Sequence, residues 1–315
     1  MKIVLLESLG ITRELLEQYA DKLRAKGHEF EAYEKDTDIQ IQKEHCKDAD
    51  IVMIANMPFT DEVIASCENL KFIDVAFTGV DHVGLKTAKE KGIAVSNASG
   101  YSNEAVAELV LSMMLSLLRN VPAVEKRCRE GGTKDGLVGR ELMGRKVGIV
   151  GTGAIGRRVA EICHMLGCHV LGYDPFPQKN APEYISYRTL DELLEESDIV
   201  TVHCPLMEST VDLISAEKIA KMNPDTIFIN AARGPIVNSQ ALAEALNEGR
   251  IAAAGIDVFE TEPPLPADHP LLQAKNTIVT PHVAFASAES MIRRAEIVFR
   301  NIDCWLEGKQ QNQIL

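Results

Sequence analysis

Short apolar runs alternate with amphipathic stretches along the whole chain, and the first hundred residues set the rhythm. Lys2–Leu6, His28–Tyr33, Asp50–Ala55, Lys71–Phe77 and Ile93–Ser96 have strand length and strand composition. Between the first two, Ile11, Leu15, Leu16, Tyr19 and Leu23 fall on one helical stripe, which Gly27 closes. Strands that alternate with helices in this way imply a parallel sheet with helices on both faces.

A second series follows the same rule. Val147–Val150, His169–Tyr173, Ile199–His203, Thr226–Asn230, Ile251–Asp257 and Thr277–Thr280 read as strands. Helices at about Leu190–Glu196, Ser215–Met222 and Ser239–Glu248 separate several of them, with Asn223-Pro224 and Asn247-Glu248-Gly249 as stop signals for two. The predicted fold class is therefore α/β, with two doubly wound parallel-sheet units. Two longer helices complete the pattern. Asn103–Arg119 is apolar on nearly every side, although Glu108, Ser112 and Ser116 interrupt it. Such a helix lies deep in a core or is covered by another subunit, and the pattern favours neither. Ala288–Leu306 carries a stripe of Met291, Ala295, Val298, Ile302 and Trp305.

Between the two series lies Gly151-Thr152-Gly153-Ala154-Ile155-Gly156, directly after the run Val147–Val150 and before the helical stretch Arg157–Leu166. The next strand, His169–Tyr173, delivers Asp174. Strand, glycine turn, helix, strand and acid is the layout of a dinucleotide-binding βαβ unit. The glycines permit close backbone approach, and the helix N-terminus offers N–H groups to a pyrophosphate. A kinase glycine loop would need further signatures downstream, which this chain does not carry. A carboxylate at Asp174 suits ribose hydroxyls and repels a 2′-phosphate, so the expected cofactor is NAD.

Composition narrows the class. With 315 residues there is room for two domains with real cores. The net charge of −13 argues against nucleic acid or an anionic membrane as partner. The run Ile3–Leu6 is too short for a signal peptide or a membrane span. Seven scattered cysteines without CxxC spacing fit a reduced, cytoplasmic protein and no metal site.

Ligands of a doubly wound sheet bind beyond the C-terminal ends of its strands. In the second series, Thr226–Asn230 runs into Ala231-Ala232-Arg233-Gly234-Pro235, Ile251–Asp257 into Val258–Pro264 with Glu262, and Thr277–Thr280 into Pro281-His282. Singly, Arg233 reads as a surface ion-pair partner, Glu262 as a solvated loop acid and His282 as a helix cap. Together they make a device. A guanidinium fork holds a carboxylate through charge-assisted hydrogen bonds worth about 1.5–3 kcal/mol each. A histidine exchanges a proton with a hydroxyl or carbonyl, and a neighbouring glutamate favours its imidazolium form.

These stretches, with His203-Cys204-Pro205, Gly255–Pro264, Thr280-Pro281-His282 and the upstream Phe77-Thr78-Gly79-Val80-Asp81, resemble the D-2-hydroxyacid dehydrogenase family over essentially the whole chain. The resemblance implies that Arg233 anchors a substrate carboxylate and that His282 is the acid/base, with Glu262 as its partner. It implies substrate contacts from Phe77, Thr78, Gly79 and Phe285, and cofactor contacts from the glycine loop, Asp174, His203, Cys204, Pro205, Thr210, Ala231, Ala232, Arg233, Asp257 and His282. It also implies a Rossmann NAD-binding domain at 101–285, inserted in a flavodoxin-like substrate domain made of 1–100 and 286–315. The long apolar helix then belongs to a homodimer interface.

Within the family, phosphoglycerate-specific members carry an arginine where this chain has Val75, and the chain ends at Leu315 without a regulatory domain. Both features count against a phosphorylated substrate. Ala284-Phe285 resembles the glycerate/hydroxypyruvate or D-lactate branches, so hydroxypyruvate or glyoxylate is the expected oxoacid, with D-lactate-type and phosphoglycerate activity as alternatives. Formate dehydrogenases of this fold place glutamine at Glu262. The corepressors that resemble the family are a rival of another kind, dinucleotide-dependent scaffolds without turnover.

Overall fold

A computed structural model describes residues 1–315. The chain divides into two compact units: Met1–Ser102 with Ala286–Leu315, hereafter unit 1, and Asn103–Phe285, unit 2. Each is a parallel sheet wrapped by helices, as the alternating pattern predicts.

Unit 1 contains strands β1 (Lys2–Leu5), β2 (Glu29–Ala32), β3 (Ile51–Ile54), β4 (Phe72–Val75) and β5 (Ala94–Asn97), in the order β2-β1-β3-β4-β5. All neighbours pair in parallel. That order reverses direction between β1 and β3, which makes their C-terminal ends the crevice of the sheet. β3 and β4 are buried at every position, as strands covered on both faces must be. The helix Arg13–Ala25 starts where the Thr12 side chain accepts from the Leu15 N–H, and it ends at Gly27, whose φ of 84° suits a residue without a β-carbon. The chain returns at its end with the helix Ala288–Leu306. Phe299 of that helix stacks on Tyr19 with ring centroids 4.6 Å apart, and Trp305 stacks on Phe72 at 5.0 Å. A buried polar network adds direction to this apolar seam. Asn301 Nδ2 donates to Asp74 Oδ1 at 2.9 Å and to the Asn97 carbonyl at 3.0 Å.

Unit 2 contains β6 (Lys146–Val150), β7 (His169–Tyr173), β8 (Ile185–Tyr187), β9 (Ile199–Val202), β10 (Ile227–Asn230), β11 (Ala253–Ile256) and β12 (Thr277–Val279), ordered β12-β11-β10-β9-β6-β7-β8. The first strand of the unit lies inside the sheet and the order reverses beside it, which is Rossmann topology. One face of the sheet is covered by Leu193, Leu194, Leu242 and Leu246 around Phe228. The other is covered by Val106, Val110, Met113 and Met114 of Asn103–Leu118 and by Val159 and Cys163 of Ala154–Met165. Burying each such side chain contributes about 1.5–3 kcal/mol.

The strand β8 and the short helices Ile39–Cys46, Asp61–Ser66, Leu85–Glu90 and Val121–Arg129 are additions to the sequence reading. No single helix is long and apolar enough to cross a membrane. All seven cysteines are free thiols.

Candidate active site

The glycine loop sits at the C-terminal end of β6, and its three glycines answer to different demands. Gly151 has φ 95°, and a β-carbon there would lie 2.6 Å from the Cys204 nitrogen after β9. A β-carbon on Gly156 would come within 2.0 Å of the Gly151 carbonyl oxygen. The first makes the turn and lets β6 and β9 approach, while the second lets the helix Ala154–Met165 pack on the turn. Gly153 is different. Its φ of −67° suits any residue, and a β-carbon would meet nothing within 4 Å. The fold itself does not require glycine there, but a ligand lying on the backbone would. Gly153 also caps the helix without a side-chain hydrogen bond, so the helix start offers its N–H groups to a phosphate. These residues fit a dinucleotide.

Asp174, beyond β7, completes this side. Its Oδ2 accepts from the Thr152 N–H at 2.9 Å and from Thr152 Oγ1 at 3.1 Å, and its Oδ1 accepts from the Phe176 N–H at 2.9 Å. The acid is thereby fixed against the glycine turn. Across the switch point, His203 Nε2 meets Thr201 Oγ1 at 2.9 Å, and burial pushes this imidazole down to about 3, keeping it neutral. Burial likewise pushes the Cys204 thiol up to about 11. The Thr210 hydroxyl donates to the Pro205 carbonyl at 2.7 Å and accepts from the Met207 N–H at 2.8 Å, which shapes the His203–Thr210 segment.

The parallel neighbours β10, β11 and β12 bring Arg233, Glu262 and His282 to the same sheet edge. His282 Nδ1 lies 2.8 Å from Glu262 Oε1 and 3.0 Å from Oε2. The imidazole is largely covered, with its side chain 10% exposed against 48% for Glu262. With Nδ1 committed to the carboxylate, proton exchange with a ligand falls to Nε2. The Phe285 ring meets the His282 ring edge-on, at 5.4 Å and 90°.

Asp257 governs the loop that carries this histidine. Its buried carboxylate accepts from Thr280 Oγ1 at 2.5 Å, from the Val283 N–H at 2.9 Å and, through Oδ2, from the Ala284 N–H at 2.9 Å. Its carbonyl accepts from the His282 N–H at 2.7 Å. The sequence pointed to Asp257 only as a cofactor contact, and this loop-holding role was missed. The arginine turn has a similar keeper in Asn230. Its Nδ2 donates to the Arg233 carbonyl at 3.0 Å and its Oδ1 accepts from the Ala232 N–H at 3.1 Å. The available signal was an asparagine at a strand end before a tight turn. Gly234 then lets the β10 and β11 loops touch, since a β-carbon there would lie 1.9 Å from the Phe259 carbonyl carbon.

A second histidine–glutamate pair stands nearby, His269 Nε2 with Glu260 Oε2 at 3.0 Å. Here Nδ1 accepts from the Leu271 N–H at the start of the helix Pro270–Gln273, so this imidazole caps a helix. Phe77, Thr78 and Gly79 lie in unit 1 directly after β4, where Asn97 Nδ2 donates to the Thr78 carbonyl at 2.7 Å.

Comparison with known proteins matches residues 111–284 to the model of the D-isomer specific 2-hydroxyacid dehydrogenase NAD-binding domain. A hydroxypyruvate reductase of Blautia hydrogenotrophica is 36% identical over 288 residues, 88% of each chain. A D-3-phosphoglycerate dehydrogenase of Archaeoglobus fulgidus is 36% identical over 96% of this chain, which spans 56% of that longer protein. Among solved structures, D-lactate dehydrogenase of Aquifex aeolicus with NAD and lactic acid is similar over 98% of this chain and 96% of that one, with TM-score 0.88 and 29% identity. A family model over more than half of the chain, a relative of this identity along most of its length and the two-sheet fold agree: the chain belongs to the NAD-dependent D-isomer specific 2-hydroxyacid dehydrogenase family.

Proposed function

We propose that the protein reduces a small 2-oxoacid to its D-2-hydroxyacid with NADH, and that hydroxypyruvate or glyoxylate is the preferred substrate. The observation that carries this reading is the His282–Glu262 pair, held on a loop fixed by Asp257 at the dinucleotide edge of unit 2. In this role His282 donates a proton from Nε2 to the carbonyl oxygen as charge develops there, while Glu262 stabilises the imidazolium and keeps the ring oriented. Arg233 binds the carboxylate as a two-pronged donor and so fixes the neighbouring carbon. Phe77, Thr78 and Gly79 of unit 1 are the remaining substrate contacts in this reading, and Phe285 shapes the space beside His282.

The dinucleotide supplies the hydride when bound. Residues Gly151–Gly156, Asp174, His203–Pro205, Thr210, Ala231–Arg233, Asp257 and His282 hold it. Asp174 supports NAD over NADP, because its carboxylate meets the adenosine ribose hydroxyls favourably and a 2′-phosphate unfavourably. A homodimer through Asn103–Leu118 and Val121–Arg129 is part of the proposal, supported by Leu115 and Val121, which are 40% and 47% exposed on those helices.

The test is a reductase panel of hydroxypyruvate, glyoxylate, pyruvate, phenylpyruvate and phosphohydroxypyruvate, each with NADH and NADPH. The expected result is fastest turnover of hydroxypyruvate or glyoxylate with NADH. Cofactor binding with no turnover on any oxoacid would overturn the enzyme reading.

A further inference from the structure

A chain of hydroxyls lying wholly within unit 2 ends on the carboxylate of Asp174. Tyr187 closes β8, the strand of 3 residues at the edge of the sheet beside β7. Its hydroxyl donates to Thr152 Oγ1 at 3.0 Å, and Thr152 Oγ1 donates in turn to Asp174 Oδ2 at 3.1 Å. The sheet leaves room for this chain. Tyr187 stands opposite Gly172 of β7, where a β-carbon would lie 3.3 Å from both Tyr187 Cε1 and Thr152 Cγ2 and 2.6 Å from Ile185 Cγ2. Thr152 is 2% exposed, and its carbonyl accepts from Arg157 Nη1 at 2.9 Å, so the middle of the chain is fixed from the helix side as well.

The direction of the chain follows from its end. A carboxylate only accepts, so the single Thr152 hydroxyl proton is committed to Asp174 while that bond lasts. The Thr152 oxygen then accepts from elsewhere, and the Tyr187 hydroxyl fills that role. Hydrogen bonds in such a chain strengthen one another. Asp174 Oδ2 takes the Thr152 N–H and hydroxyl, whereas Oδ1 takes only the Phe176 N–H. Each carboxylate oxygen offers about two acceptor sites, so capacity for ribose hydroxyls remains on Oδ1.

We propose that Tyr187 is a positioning residue for cofactor choice, acting through Thr152. It holds the Asp174 carboxylate in the orientation that accepts from the adenosine ribose hydroxyls of NADH and opposes the 2′-phosphate of NADPH. The inference rests on Asp174 as the NAD-selecting acid proposed above and adds the residue that keeps it aimed. Without the Tyr187 hydroxyl, Thr152 Oγ1 loses its donor and its proton is free to turn from Asp174. The carboxylate then meets the ribose less well, and its opposition to a 2′-phosphate relaxes.

Tyr187→Phe removes the hydroxyl and keeps the ring, so it isolates the contact. Calorimetric titration gives Kd for NADH and for NADPH in wild type, Tyr187→Phe, Thr152→Ser, Thr152→Val and the Tyr187→Phe, Thr152→Val double variant. Thermal unfolding of each cofactor-free protein checks its fold. Wild type is expected to bind NADH more tightly than NADPH by at least about 10-fold. Tyr187→Phe is expected to weaken NADH by about 3- to 10-fold without weakening NADPH. Thr152→Ser, which keeps a hydroxyl, is expected to stay closer to the wild-type ratio than Thr152→Val. Beside Thr152→Val, Tyr187→Phe is expected to change the ratio little further. Equal weakening of both cofactors in Tyr187→Phe, or no change in either, means that the tyrosine serves packing alone and overturns the proposal. So does a loss that persists undiminished beside Thr152→Val, because Tyr187 then acts by another route. A wild type that binds NADPH as tightly as NADH sinks the Asp174 reading itself, a result distinct from all of these.

Discussion

His282 sits at φ 56°, a left-handed conformation that a β-carbon makes unfavourable by roughly 1–2 kcal/mol. The loop keeps it there through the Asp257 carboxylate, which binds the residues on either side of the histidine. A side chain placed by such a network loses its aim when the network is cut. Asp257→Ala is therefore expected to lower kcat by about 10²-fold. A variant within about threefold of wild type would show that the loop holds itself. Cys204 gives a prediction with a definite pH sign. Burial is the largest influence on its thiol, which ionises only near 11, so the reactive thiolate is scarce at neutral pH. Iodoacetamide at neutral pH is expected to label the exposed Cys128 well before Cys204, as peptide mass mapping would reveal. Early labelling of Cys204 would contradict that environment. At this scale the sequence was readable where a residue type has few uses, as in the turn made by Gly151 and Gly156 and in His282 and Glu262, whose side chains meet. It hid the burial of Arg294, 4% exposed on the helix Ala288–Leu306, because a charged residue beside Arg293 on an amphipathic helix reads as solvated surface. It half-hid Asp257, because an acid at a strand end suits a ligand and a loop equally well.

Among the elements, the helix Ala288–Leu306 meets β4 through a buried acid. Asp74 is fully covered, and desolvation, the larger influence, pushes its carboxyl well above the ordinary aspartate value, against the opposing hydrogen bond from Asn301. The folded protein thus retains a proton that the unfolded chain gives up above about 3.8. Over that range the unfolded state binds fewer protons, so this group's contribution to stability is complete at lower pH and is lost as pH rises towards the folded value. Asp74→Asn keeps an acceptor for Asn301 and carries no ionisable proton. Thermal unfolding from pH 4 to 8 is expected to show a flatter profile and a higher Tm at neutral pH for the variant. A parallel, lower curve would mean that Asp74 is ionised and stabilising. The strands themselves were legible, since β3 is an unbroken apolar run and β4 one interrupted only by Asp74, and both are buried on both faces. β8 has only 3 residues and the helix Asp61–Ser66 only 6, too few for either periodicity to declare itself.

For the whole molecule, the long apolar helix is the question that the hydrophobic pattern left open. One face, with Val106, Val110, Met113 and Met114, is buried in the core of unit 2, while Leu115 is 40% exposed. Val121, Val138 and Met143 are also exposed in the same unit. A chain of 34.6 kDa with this surface is expected to elute, by light scattering at micromolar concentration, with twice that mass. Leu115→Glu with Val121→Glu is expected to shift it towards monomer. A wild-type monomer would contradict the dimer proposal and leave these side chains as isolated surface residues, which are common.

The reading turns on His282 moving the proton, with its contact to the dinucleotide adding little to cofactor affinity. Steady-state reduction of the preferred oxoacid by His282→Ala, paired with NADH titration of the same protein, tests that claim most directly. In that variant kcat is expected to fall by about 10²–10⁴-fold while the NADH Kd stays within a few-fold of wild type. Near-normal turnover in that variant would contradict it.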